Sequence, residues 1–207
     1  MIVVNNKKEL KELIIQRIRE QGLNCDLNDI DVSKVTDMSE LFMSSKFDGD
    51  ISEWNVSNVE NMSYMFYNSD FNSDLSRWDT GRVKNMMEMF SYTRFNGDIS
   101  KWDVSNVEDM SFMFACSKFN GDLSKWNVSK VKDMRYMFYS SKFDGDISNW
   151  DVSNVEDMSF MFERSVFKGD LSKWDVSNVK NTFGTFYDSL LEGNESGWWR
   201  ARLKPLI

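Results

Sequence analysis

A chain of 207 residues with a formal net charge of −8 and no histidine lacks the commonest general base and metal ligand, and its acidic balance argues against binding nucleic acid through phosphates. No apolar run is long enough to span a bilayer, and the opening "MIVVNNKKELKEL" lacks the order of a signal peptide, so no membrane role is expected and the expected location is cytoplasmic. The only cysteines, Cys25 and Cys116, occupy unrelated positions of the repeat described below, and no structural disulfide is expected between them.

The first element in chain order is a helix. Asn6 followed by Glu9 is a capping box, Leu10, Leu13, Ile14 and Ile18 make one apolar face, and Gly22 stops the run. Residues 1–22 thus read as an N-terminal amphipathic capping helix. A membrane-surface role is the weaker reading, because Glu9, Glu12 and Glu20 are mixed with the lysines on the polar face.

From Leu23 onward the chain repeats itself every 24 residues. Phe47, Phe71, Phe95, Phe119, Phe143 and Phe167 keep that spacing, and so do Trp54, Trp78, Trp102, Trp126, Trp150 and Trp174. Counted from the Phe, one coil reads F-x-G-D-[IL]-S-x-W-[DN]-V-S-N-V-x-[DN]-M-S-x-M-F-x-x-S-x. Seven coils fill residues 23–190, and Leu191 opens a partial eighth. A fixed period of this length marks a stacked-repeat architecture, in which neighbouring coils bury each other's apolar faces.

Within a coil, the apolar residues at positions 13, 16, 19 and 20 (Val107, Met110, Met113, Phe114) have helical spacing. The serine at 11 with Glu three residues on, as in Ser105 and Glu108, resembles a capping box. The preceding W-D-V alternates as a short strand does, and G-D at positions 3 and 4 is a turn signal. The expected fold is therefore an α/β repeat solenoid: seven 24-residue coils, each turn, short strand and short helix, stacked with a parallel sheet. Residues 191–207 are expected to form the partial eighth coil and a C-terminal cap, with Trp199, Leu203 and Leu206 covering the last coil. The Phe and Trp columns are expected core; each ring buries roughly 150–250 Å², about 4–6 kcal/mol at most at about 25 cal/mol per Å².

Three other columns carry information. Asp at position 4 is unbroken from Asp26 to Asp170, which suits either a ladder of hard-cation ligands or a turn residue accepting local N–H groups. Neither an EF-hand loop nor a glycine-rich nonapeptide is present, so the turn is the expected role and no metal is assigned. Position 14 alternates Glu60, Lys84, Glu108, Lys132, Glu156, Lys180, which is expected to set opposite charges side by side along the stack and to oppose a slip by one coil. Positions 18 and 21 vary most. Tyr64, Tyr67, Phe112, Tyr136, Tyr139 and Phe160, with Tyr187 in the last coil, form a candidate partner-binding stripe; the competing reading packs position 18 against the next coil.

The phrase carried by Phe95 to Met110, recurring through 23–190, resembles the BspA-like leucine-rich-repeat family, known also from mycoplasma lipoproteins. The match spans roughly four fifths of the chain. The resemblance implies a protein-binding solenoid, often a bacterial surface adhesin or immune ligand, with no catalytic residue to carry over. The sequence has no signal peptide, lipobox cysteine or anchor, which resembles short intracellular members instead.

No P-loop, G-x-G-x-x-G, G-x-S-x-G or C-x-x-C occurs, so neither an enzyme nor a cofactor is expected. Residues 1–22 carry five basic and three acidic side chains and residues 191–207 three and two, leaving 17 basic and 28 acidic in the coils, a net charge of −11. The expected function is a non-enzymatic protein–protein interaction module, a rigid acidic solenoid binding or inhibiting an intracellular protein. The alternatives are a surface adhesin and an acidic nucleic-acid mimic acting on a basic, nucleic-acid-binding enzyme.

Overall fold

The backbone of each coil sends alternate N–H groups of its second half to the coil that follows. In a computed structural model describing residues 1–191, the N–H groups of positions 16, 18, 20 and 22 donate to the carbonyls of positions 15, 17, 19 and 21 one coil on. Met110, Phe112, Phe114 and Cys116 reach Asp133, Arg135, Met137 and Tyr139 in this way, at 2.7–3.0 Å. On the opposite side of the coil, Asp48 and Asp50 donate backward to Leu23 and Cys25. The chain is a repeat solenoid, and parallel pairing runs through position 15 as Asp37↔Asn61, Asn61↔Asn85 and onward to Asp157↔Asn181.

This pattern replaces the short helix expected in each coil. A helix would keep its N–H groups within the segment; here alternate ones leave it. Position 18 is left-handed in every coil, from Glu40 (φ 58°) to Phe160 (φ 55°) and Gly184 (φ 65°), and so is position 22, from Ser44 to Asp188. Each left-handed residue closes a turn, as in Met65 N–H to Met62 O and Ser69 N–H to Phe66 O, both 3.2 Å. Successive turns return every third residue to the interior, which reproduces the helical spacing of Val107, Met110 and Met113 without a helix. In coils two to seven the W-D-V segment is likewise not a strand, and pairing between coils passes to position 15; only in the first coil does the equivalent Ile30–Asp31 pair as a strand.

The interior holds the columns that recur most faithfully. Phe at positions 1 and 20, Trp at 8, and the apolar residues at 5, 13, 16 and 19 are buried in coils two to six. Phe90, Phe114 and Phe138 stack along the solenoid at 5.9 and 5.8 Å, and Phe114 also stacks on Phe119, which opens the next coil, at 4.5 Å. Each position-8 tryptophan from Trp54 to Trp174 is pinned to its neighbour: Trp102 Nε1 donates to Leu75 O at 3.0 Å and Trp126 Nε1 to Ile99 O at 3.1 Å. The indole nitrogen thereby finds the partner that burial demands, and it sets the register between coils.

The acidic columns are turn residues. Asp98 Oδ1 accepts from the Ser100 N–H, Asp103 from Ser105 and Asp109 from Ser111, each at 2.9 Å, giving three Asx turns per coil at positions 4, 9 and 15. Those N–H bonds hold the Asp98, Asp122, Asp146 and Asp170 carboxyls below their ordinary range. The serine at 11 is thus the recipient of an Asx turn from position 9, not a helix cap.

At the N-terminal end, α1 (Lys7–Gln21) starts at Asn6, whose side chain accepts from the Glu9 N–H, and ends at Gly22. Its Leu10 and Ile14 are buried in the core. The preceding β1 (Ile2–Val3) pairs in parallel with β2 (Ile30–Asp31) of the first coil. The proposed C-terminal cap over 191–207, with Trp199, Leu203 and Leu206, lies outside the described residues apart from Leu191.

Candidate functional site

The position-14 column comes out as discrete pairs. Each lysine bonds the preceding glutamate: Lys84 to Glu60 at 2.8 Å, Lys132 to Glu108 at 2.6 Å and Lys180 to Glu156 at 2.5 Å. Position 12 follows the same rule in coils three and five, with Arg82 on Asn58 and Lys130 on Asn106, and position 7 adds Arg77 on Glu53. Coils two and three, four and five, six and seven are therefore joined as couples. Between couples the charged row opens into a shallow hollow of about 300 Å³ lined by Glu108, Lys130, Lys132, Asn154 and Glu156. Its charges are mixed and already engaged with each other.

The other variable columns, 18 and 21, lie on a face that the repeat leaves half-open. The turn bond from the position-21 N–H to the position-18 carbonyl folds the two side chains together: Tyr67 to Tyr64 at 3.1 Å and Tyr139 to Tyr136 at 3.0 Å. Their rings meet edge to face, at 5.8 Å and 65° for Tyr64–Tyr67 and 5.6 Å and 71° for Tyr136–Tyr139. Tyr64, Tyr67, Phe112, Tyr136, Tyr139 and Phe160 are all half-buried, and Tyr187 is exposed.

The stripe is not continuous. In column 18 Glu88 stands between Tyr64 and Phe112, and in column 21 the buried Ser91 and Ala115 stand between Tyr67 and Tyr139. Two patches result. In coils four to six Phe112, Tyr136 and Phe160 stack coaxially at 4.4 and 4.7 Å with interplanar angles of 9° and 19°, and Phe183 closes the lower end edge-on at 5.2 Å. Gly184 makes this closure possible, since a Cβ there would sit 2.6 Å from the Phe160 ring. In coils two and three Tyr64, Tyr67 and Tyr92 are instead mutually tilted, Tyr67–Tyr92 lying 5.8 Å apart at 68°.

Position 18 packs on the next coil in coils four to six, as the competing reading has it, while in coil two Tyr64 packs on position 21 of its own coil. Tyr92, Glu88 and Phe183 join these patches although the spacing argument does not select them. Their signal is departure from the consensus: Phe183 replaces a recurring serine, and coil three also carries Ser73 for glycine and Thr80-Gly81 for Val-Ser.

Electrostatics separate the patches further. Burial, aided by the Glu88 charge, pushes the Tyr64 hydroxyl up, and burial pushes the Glu88 carboxyl up against the Tyr64 hydroxyl that faces it. The Tyr92 hydroxyl sits against the Cys116 thiol and is pushed up to about 12 by that contact. Burial and then Glu163 raise Tyr136, while Asp133 is raised by burial among Asp109 and Asp157 in spite of Arg135. Among the described residues no group of histidine, cysteine, aspartate or glutamate has an arrangement suited to a metal ion, and no helix is long and apolar enough to cross a membrane.

No curated protein and no solved structure gives a significant match to the chain. A family model described as "Mycoplasma protein of unknown function, DUF285" matches it twice, over residues 10–116 and 91–199. The two overlapping matches together take in all seven coils, and the chain belongs to this DUF285 family of Mycoplasma-type repeat proteins.

Proposed function

We propose that the protein is a non-enzymatic binding scaffold of the BspA-like leucine-rich-repeat kind, whose half-open aromatic columns take an intracellular protein partner. The carrying observation is energetic. Tyr64, Phe112, Tyr136 and Phe160 occupy a left-handed position where glycine costs nothing and an aromatic residue costs about 1–2 kcal/mol each. Half-buried aromatic side chains kept there against that cost, and of the type that anchors interfaces, favour recognition. A cytoplasmic setting and a role in inhibition belong to the same proposal.

Capture from the native host's extract tests it, comparing the wild type with a Tyr64→Ser, Tyr67→Ser, Tyr139→Ser variant. A partner retained by the first and lost by the second, with the variant's Tm within a few degrees, is the expected result. Equal retention overturns the reading.

A second reading, the nucleic-acid mimic, is favoured by one feature: Asp98, Asp122, Asp146 and Asp170 form an exposed row, one carboxylate per coil, held ionised by their turns. It requires a basic partner whose binding falls steeply with salt, whereas an aromatic contact is nearly salt-insensitive. The adhesin reading has no such observation behind it.

A further inference from the structure

The geometry points to a receptor for a cationic side chain of a partner protein, formed by the tilted rings of Tyr64, Tyr67 and Tyr92 together with the carboxylate of Glu88 that faces Tyr64. The inference rests on the binding-scaffold reading and adds the chemistry of what is bound. Cations are attracted to ring faces, where the quadrupole is negative, and not to ring edges. In coils four to six the column-18 faces are consumed, Tyr136 having Phe112 on one side and Phe160 on the other, and the tilted Tyr139 already has a cation of the chain against it, Arg164 donating to its hydroxyl at 3.3 Å. In coils two and three the rings meet at 65° and 68°, an arrangement that uses the edge of one ring in each contact and leaves other faces free. Tyr92, the outermost, is 53% exposed.

The acid completes the chemistry. Glu88 sits in the aromatic column directly between Tyr64 and Phe112, half-buried, and among the described residues no lysine or arginine pairs with it. Elsewhere on the solenoid glutamates that face outward at positions 7 and 14 are matched by a cation one coil on. A carboxylate desolvated against rings with no counter-charge is complementary to a cation brought from outside, and the coils' net charge of −11 draws such a partner in. Tilted aromatic rings with one acid suit an arginine guanidinium, a lysine ammonium or a methylated ammonium; the shared feature is a weakly hydrated cation on an aliphatic stem.

The full chain labelled with 13C-tyrosine, which reports on all six tyrosines separately, tests this by NMR titration with N-acetyl-arginine methylamide and with the neutral isostere N-acetyl-citrulline methylamide. Saturable shifts at Tyr64, Tyr67 and Tyr92 are expected with the arginine compound, with little movement at Tyr136, Tyr139 or Tyr187. Glu88→Gln should weaken the binding about five-fold, and Tyr92→Leu should weaken it similarly while Tyr92→Phe does not. Equal shifts with the citrulline compound, uniform movement of all six tyrosines, or an unchanged affinity in Glu88→Gln each overturns the inference. A captured partner that needs the stripe yet ignores Glu88→Gln also overturns it while leaving the scaffold reading intact. Failure to capture any stripe-dependent partner sinks that reading and is separable, because the titration uses no partner.

Discussion

The aromatic patch of coils four to six is a stack within column 18, whereas that of coils two and three draws on columns 18, 21 and 22 of the same repeat backbone, and the two do opposite things with their rings. Phe112, Tyr136 and Phe160 spend their faces on one another, which makes the column part of the packing. Tyr64, Tyr67 and Tyr92 meet edge to face beside an acid, and hold ring faces available. The difference lies in a few letters: Glu88 where an aromatic would continue the stack, and Ser91 and Ala115 where a tyrosine would join the patches. A repeat backbone with fixed hydrogen bonds lets side-chain identity alone decide whether a column is structure or surface.

The largest test of that contrast is Tyr136→Ala against Tyr92→Ala. Tyr136 loses two stacked neighbours worth roughly 0.5–1.5 kcal/mol each plus its buried area, so a loss of about 2–3 kcal/mol is expected in denaturant unfolding. Tyr92, half in solvent, should cost about 1 kcal/mol or less. Equal losses would mean that both patches are packing. Tyr136→Gly should recover about 1 kcal/mol relative to the alanine, because glycine accepts the left-handed φ of 56° without a Cβ penalty.

A smaller effect concerns how coils are joined beneath those patches. Lys132 bonds Glu108 and not Glu156, so Lys132→Glu should lower Tm on the order of 1–3 °C, and adding Glu108→Lys alone should restore it. If restoration needs Glu156→Lys as well, the charges act as one continuous row instead of as couples. Both effects should shrink in 0.5 M salt, since all three groups are exposed.

How much of this was legible in the sequence depends on what each residue type can signal. The 24-residue period, the Phe and Trp columns and the turn role of the Asp column are all readable, because burial and Asx turns each need particular side chains. The helix expected in each coil is a false signal, because i, i+3 spacing arises equally from a 3.6-residue helix and from successive turns. The discriminating signal is a positive φ at positions 18 and 22, and residues that announce it occur only at Gly184, Asn68 and Asp188; elsewhere Tyr, Phe, Glu, Ser, Cys or Arg fills the place. The stripe residues were legible as a variable column, but their division into two patches was not, since it depends on ring orientation. Tyr92 was invisible to a three-residue spacing rule because it enters from the next turn.

The finest test of the contrast is the sign of a pH effect. Burial raises the folded pKa of Glu88, so its ionisation at neutral pH works against the fold, and that penalty disappears as pH falls through the raised value. The position-4 aspartates behave oppositely: their folded pKa values are lowered, and the stability they confer above the unfolded value of about 3.9 is lost as pH falls through the lowered ones. Glu88→Gln should therefore melt higher than the wild type at pH 7, by on the order of 1–2 °C, with the gap closing toward pH 4. Both proteins should then lose stability together below that pH as the aspartates protonate. A cationic ligand pairs with the ionised Glu88 and should raise the Tm of the wild type but not of the glutamine variant, so its addition at pH 7 should narrow the gap. A glutamine variant less stable than the wild type at pH 7 without ligand would show that Glu88 already has a favourable partner within the fold, and the patch of coils two and three would then be packing like its neighbour.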